Sequence, residues 1–165
     1  MFGLFFSSFI YERSKNVPLF NASQEALNPA LGAVNTLFLL TSSWFVVLAV
    51  DAAKKGMPTV VRNCLFAALA LGGAFSAAKI YEYSAKIAHG ITLVTNDFFM
   101  FYFVFTGIHF VHLLIGMAVL GFLASRVNRG MSDAAFLHYM ESGASYWHMV
   151  DLLWIILFPL LYLVR

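Results

Sequence analysis

Charge is what this 165-residue chain has least of. Asp, Glu, Lys and Arg make up 11% of it, against about 25% in a soluble domain. Hydrophobic residues account for 61% and aromatic residues for 17%. So few charged groups cannot cover a water-facing surface, and the chain reads as an integral membrane protein. The formal net charge of +2 supplies no basic surface for nucleic acid. A single cysteine, Cys64, excludes an internal disulfide and leaves the redox compartment unread. Phosphate-cradling glycine loops and cysteine metal motifs are missing. The first ten residues lack the basic leader and small-residue cleavage site of a secretory signal.

Long apolar runs are what the chain does have. About 20 mainly apolar residues cross a hydrocarbon core of about 30 Å, and four stretches reach that length: residues 29–50, 63–84, 98–125 and 142–164. Residues 1–11 are apolar but too short, since a helix of that length covers about half a bilayer. Phe2, Phe5, Phe6, Phe9 and Ile10 leave this fragment no polar face for lying in the interface. It is therefore expected to be the second half of a helix whose first half lies upstream of Met1. The expected architecture is an all-α, five-helix transmembrane bundle in one domain. Glu12 to Asn28, with Pro18 and then Pro29, reads as a loop facing outward. Lys54, Lys55, Arg62, Arg126 and Arg129 fall in alternate loops, which puts loops 51–62 and 126–141 in the cytoplasm and the C-terminus outside. Small residues in the 63–84 span, Gly73 with Ala77 and Ala70 with Ala74 and Ala78, are spaced for close helix packing.

Five ionisable residues inside these spans are the candidate functional set: Glu82, His109, His112, His148 and Asp151. An ionisable group at the bilayer centre costs roughly 2.5–3.5 kcal/mol on insertion scales, so such residues normally face a bundle interior. His109 and His112, three apart, lie on one helix face, as do His148 and Asp151. Two histidines suit zinc, copper or iron, and His109 or His112 with His148 could ligate haem across helices. The set lacks the further carboxylates and cysteines of a complete metal site. Hydrogen bonds between helices are the preferred reading of the first pair. His148 and Asp151 are spaced to pair directly, which makes a proton relay a second reading. Ser145, one turn before His148, has neither strained elbow nor oxyanion hole for hydrolysis. Glu82 is flanked by Lys79 and Lys86 in ion-pair spacing. The lysines are expected to snorkel to the membrane edge; whether Glu82 sits there or turns inward stays open. Trp147 and Trp154 read as packing or lipid contacts.

Two motifs then point to a family. Gly107-Ile108-His109-Phe110-Val111-His112-Leu113-Leu114-Ile115-Gly116 resembles the Gly-x-His-x-x-His-x-x-x-Gly helix of subunit III of haem–copper oxidases. Tyr146-Trp147-His148-Met149-Val150-Asp151-Leu152-Leu153-Trp154 resembles that family's last helix. Asn35-Thr36 and Glu82-Tyr83 fit in the same order, so the resemblance covers essentially the whole chain. It matches the last five of the long form's seven helices. Asn96 to Tyr102 and Asn35 to Ser43 resemble the short branch associated with bacterial nitric oxide reductases.

The resemblance implies a non-catalytic subunit of the bacterial inner membrane that packs on catalytic subunit I. It also implies bound phospholipid and support for proton uptake, with haem and copper held by subunits I and II and no cofactor in this chain. The alternative it implies is an accessory or assembly protein of a nitric oxide reductase. A stand-alone histidine-ligated metal protein and a proton-coupled carrier rank below both. On this reading Glu82, His109, His112, His148 and Asp151 are bundle-core polar residues without catalytic or ligand roles. The family's membrane-embedded carboxylate ahead of the Phe-rich segment has no counterpart before Glu12.

Overall fold

The computed structural model describes residues 7, 10–11, 29–88, 90, 97–130 and 134–163. Four long helices follow one another: α1 (Pro29–Lys54), α2 (Pro58–Ala88), α3 (Asp97–Gly130) and α4 (Ala134–Phe158), the last continued by a π-helical turn, Pro159–Leu163. All four are long and apolar enough to cross a membrane. The protein is therefore an all-α membrane protein with four such helices among the described residues. The fifth, N-terminal span and the Glu12 to Asn28 loop fall almost wholly outside them; residues 7, 10 and 11 are helical.

Helix ends follow local chemistry. Pro29 and Pro58 open α1 and α2, where a missing N–H costs nothing because first-turn donors have no helical partner. Gly56, at φ +68°, ends the first hairpin in a Schellman motif. Its N–H donates to Ala53 O at 3.1 Å, and the Met57 N–H donates to Ala52 O at 3.0 Å. The chain then turns directly into α2, and the two helices lie antiparallel. Pro159 has no N–H for the α-helical ladder, and the chain widens there into the π turn that carries Tyr162 inward.

The helices outrun the apolar stretches. α2 starts at Pro58 rather than 63 and ends at Ala88 rather than 84, and α4 starts at Ala134 rather than 142. Hydropathy measures the part of a helix that suits lipid. His138, Tyr139 and Glu141 are exposed residues in the opening turns of α4 that continue the same helix past it.

Each helix packs on its two chain or ring neighbours, α1 on α2 and α4, α3 on α2 and α4, closing a square. Buried positions alternate by three and four residues. In α1 they include Gly32, Asn35, Leu39, Ser42, Val46 and Ala49; in α2 Leu65, Ala68, Gly72, Phe75, Lys79, Glu82 and Lys86. A three-and-four spacing of this kind is the pattern by which one face of a helix packs along its neighbours. Trp147 and Trp154, both 1% exposed, fill the middle. A Cβ at Gly116 would lie 2.9 Å from the Trp147 ring, and one at Gly72 3.0 Å from it.

The close approach therefore uses Gly72 and Gly116. Gly73, expected to mediate it, has open space around its Cα, and Ala70 and Ala77 are exposed. The small-residue stripe was read one position off, because both faces of a membrane helix are apolar and composition alone does not orient it. Gly116→Val is expected to destabilise the bundle by about 1–3 kcal/mol, the usual cost of overpacking, while Gly73→Ala leaves it unchanged. Thermal unfolding of both variants in lipid nanodiscs checks this.

Candidate functional site

Two polar groups lie inside the square. The first is at the end where α2 finishes, α3 begins and the π turn lies. Lys79, Glu82 and Lys86 share the inner seam of α2 and are 2%, 7% and 7% exposed. Glu82 Oε2 accepts from Lys79 Nζ at 2.8 Å, and Oε1 accepts from Lys86 Nζ at 2.7 Å. Oε1 also accepts from Tyr102 Oη of α3 at 2.9 Å and from Tyr162 Oη of the π turn at 2.7 Å. Lys79 Nζ donates further to Tyr162 Oη at 2.9 Å and sits 4.7 Å from the Trp154 ring centroid. Lys86 Nζ donates to Tyr102 Oη at 3.1 Å and lies 4.3 Å from that ring's centroid. Beside this network the Tyr83 hydroxyl donates to Thr106 Oγ1, whose own hydroxyl donates to Tyr102 O at 2.6 Å.

The lysines thus do not snorkel. Their spacing puts them on the seam that faces protein, and a carboxylate with two phenols replaces the water they would have sought. Glu82 turns inward, toward Tyr102 and Tyr162 rather than the histidines. The inward part played by Lys79, Lys86 and Tyr162 was missed. The three-and-four spacing that links Lys79, Glu82 and Lys86 to Gly72 and Phe75 was the available signal.

The second group lies near mid-bundle. His109, buried, donates from Nε2 to Val150 O of α4 at 3.0 Å, and its ring packs 5.2 Å from that of Trp154. Trp154 Nε1 donates to Thr36 Oγ1 of α1 at 3.0 Å and meets Phe75 of α2 edge-on at 4.9 Å. One indole therefore contacts all three other helices. His112 is half-buried and bonds within its own helix, Nδ1 to Ile108 O at 2.8 Å, so this contact does not tie α3 to a neighbour as expected. A histidine beside its own i−4 carbonyl satisfies one nitrogen without leaving the helix.

His148 and Asp151 do not pair as their spacing suggested. His148 Nδ1 hydrogen-bonds to Ser43 Oγ of α1 at 2.5 Å. The Ser43 hydroxyl is also beside the Asp151 carboxyl, whose buried Oδ1 has no hydrogen-bond partner among the described residues. A second buried atom, Trp147 Nε1, is likewise unpartnered. Ser42 Oγ donates to Ala68 O of α2 at 2.9 Å, so successive serines of α1 tie it to both neighbours.

Chemically, the first group is a filled ion and hydrogen-bond network. His109, His112 and His148 do not converge: among the described residues no three His, Cys, Asp or Glu side chains cluster as a metal site. Each histidine also has a ring nitrogen engaged with a carbonyl or hydroxyl group.

Comparison with known proteins agrees with this membrane-subunit architecture. The family model for cytochrome c oxidase subunit III matches residues 4–164. The chain belongs to the cytochrome c oxidase subunit III family. Cytochrome c oxidase subunit 3 of Thermostichus vulcanus is 34% identical over 131 residues, 79% of this chain and 64% of that protein. Its namesake from Corynebacterium diphtheriae is 30% identical over 139 residues, 84% of this chain and 68% of that protein. The chain thus spans about two thirds of the length of these subunit III relatives. A Heme-copper oxidase subunit I+III of Aeropyrum pernix is 26% identical over 171 residues, covering 99% of this chain and 21% of that longer protein.

Removing Glu82 would leave two buried ammonium groups without their anion. Glu82→Gln is expected to cost about 3–5 kcal/mol, the cost of breaking a buried pair. Lys79→Met should cost less, because Glu82 and Lys86 still balance. Denaturant unfolding of the purified variants in one detergent gives the order directly.

Proposed function

We propose that this chain is a non-catalytic membrane subunit of a haem–copper oxidoreductase complex, in which it packs on and stabilises catalytic subunit I. The observation that carries this reading is the subunit III match running from residue 4 to residue 164. The Aeropyrum pernix protein, whose name joins subunits I and III, supports subunit I as the neighbour. The inside of the bundle is occupied by indoles and by hydrogen bonds between its own residues, which suits a structural subunit. Haem and copper are assigned to subunits I and II and no cofactor to this chain. Phospholipid is the proposed filling for the almost wholly apolar groove between α3 and α4, lined by Ile115, Val119, Phe122, Tyr139 and Tyr146. Support of proton uptake by the complex belongs to the same proposal.

The remaining assignments follow from it. Residues 1–11 supply part of a fifth span, the membrane is the bacterial inner membrane, and loops 51–62 and 126–141 face the cytoplasm. The Lys54–Glu141 ion pair, 2.9 Å, supports a common side for those two loops. The accessory role in a nitric oxide reductase is the less favoured reading, since the relatives above are named as oxidase subunits.

Affinity purification of the tagged chain from its own membranes in mild detergent tests the assignment. A haem-containing, oxygen-reducing catalytic subunit should co-purify in fixed ratio. Recovery of the chain alone, or with a nitric oxide reductase, would contradict it.

A further inference from the structure

Asp151 stands apart from the other intramembrane ionisable groups. Glu82 has donors on both carboxylate oxygens, whereas Asp151 has a buried Oδ1 with none among the described residues. A carboxylate kept as the anion in an apolar interior needs donors on its oxygens. Among the described residues Oδ1 has no such donor, which disfavours the charged form of this carboxyl.

A route to it is also present. His148 is half-buried and lines two adjoining grooves along α4, one shared with α1 through Val47, Val50 and Lys54, the other running down past Leu152 and Ile156. Its Nδ1 is turned inward to Ser43, so Nε2 is the nitrogen left for the groove. Exposed Glu141 and Ser145 precede it on the same stripe of α4. Glu141 to Asp151 is about 15 Å along a helix at about 1.5 Å per residue. Polar side chains therefore descend from the bundle end to a buried acid.

We propose that Asp151 is a proton-holding site, loaded and unloaded from the α1–α4 groove through His148 and Ser43. In loading, a proton arrives at Nε2 of a His148 ring that carries its hydrogen on Nδ1. The Nδ1 proton passes to Ser43 Oγ as the Ser43 hydroxyl proton passes to the Asp151 carboxylate. One proton has entered, Asp151 is a neutral acid, Ser43 is again a hydroxyl and His148 is a neutral ring with its hydrogen on Nε2. Unloading reverses each transfer.

The surroundings favour this pathway. Among the described residues His148 is the one ionisable group whose charge acts on Asp151. From α3, His109 is occupied by Val150 O; from α2, Lys79 is occupied by Glu82 and Tyr162. On α1, Asp51 and Lys54 face the outer end of the groove. The inference concerns this chain's own residues and stands independently of the complex proposed above.

Infrared spectroscopy of the full chain in lipid nanodiscs, moved from H2O to D2O, tests it. The wild type should show a carboxylic-acid carbonyl band that shifts on exchange. Isotope-labelled aspartate should move it, which ties it to an aspartate without any substitution. Asp151→Asn should remove the band and Asp51→Asn should keep it. Ser43→Ala and His148→Phe should keep it but slow its exchange about tenfold or more, as for a barrier raised by one lost hydrogen-bonded step. Ser43→Thr should restore the rate. Absence of an aspartate acid band overturns the proposal, as does a band that survives Asp151→Asn. Unchanged exchange in both relay variants overturns the route through His148 and Ser43.

Discussion

One carboxylate, Glu82, holds the closed end of this bundle. Two lysine ammonium groups from its own helix, a phenol from α3 and a phenol from the C-terminal π turn all donate to it. In hydrocarbon an unpaired ammonium is costly enough that it would pull its helix toward the interface. With Glu82 between them, Lys79 and Lys86 turn the same face of α2 inward that carries Gly72 and Phe75. The orientation of α2, the position of α3 against it and the inward path of the chain after Pro159 are set by the same group. The aromatic rings against Lys79 and Lys86 supplement it, since a cation over a ring face is attracted to its electron density.

Midway down the bundle the agent changes from charge to shape. Lipid tails are as apolar as a leucine core, so helices in a membrane are held by close packing and internal hydrogen bonds. Glycines at 72 and 116 give Trp147 its space. Trp154 reaches α1, α2 and α3 at once. The two tryptophans lie seven residues apart, two turns along one face of α4, which is why a single helix can place both. Polar side chains tie pairs of helices around them: Ser42 to α2, Ser43 to α4, His109 to α4. Among the described residues, Asp151 Oδ1 and Trp147 Nε1 are the two buried side-chain polar atoms left without a hydrogen-bond partner in this interior.

The sequence made the four long helices and their polar cargo readable because apolar length and buried charge are both large energetic signals. The histidine and tryptophan-histidine motifs pointed to the subunit III family for the same reason: they sit at fixed helical spacing. What stayed hidden was orientation. His148 and Asp151 have the spacing of an ion pair, yet Ser43 on another helix takes the His148 bond. Gly73 rather than Gly72 looked like the close contact, and the lysines looked like edge residues. Each of these depends on which side of a uniformly apolar helix faces protein, and that is decided by partners distant in sequence. The three-and-four rhythm through Gly72, Phe75, Lys79, Glu82 and Lys86 carried that information, but only when the charged residues were counted as core.

The central claim is that Glu82 holds the π turn and the start of α3 to α2. Hydrogen–deuterium exchange of the Glu82→Gln variant against wild type in nanodiscs tests it most directly, peptide by peptide. The account predicts faster exchange across residues 159–163 and the first turns of α3, with the Gly56 hairpin at the far end unchanged. Equal exchange at both ends, or an unaltered π turn, would contradict it.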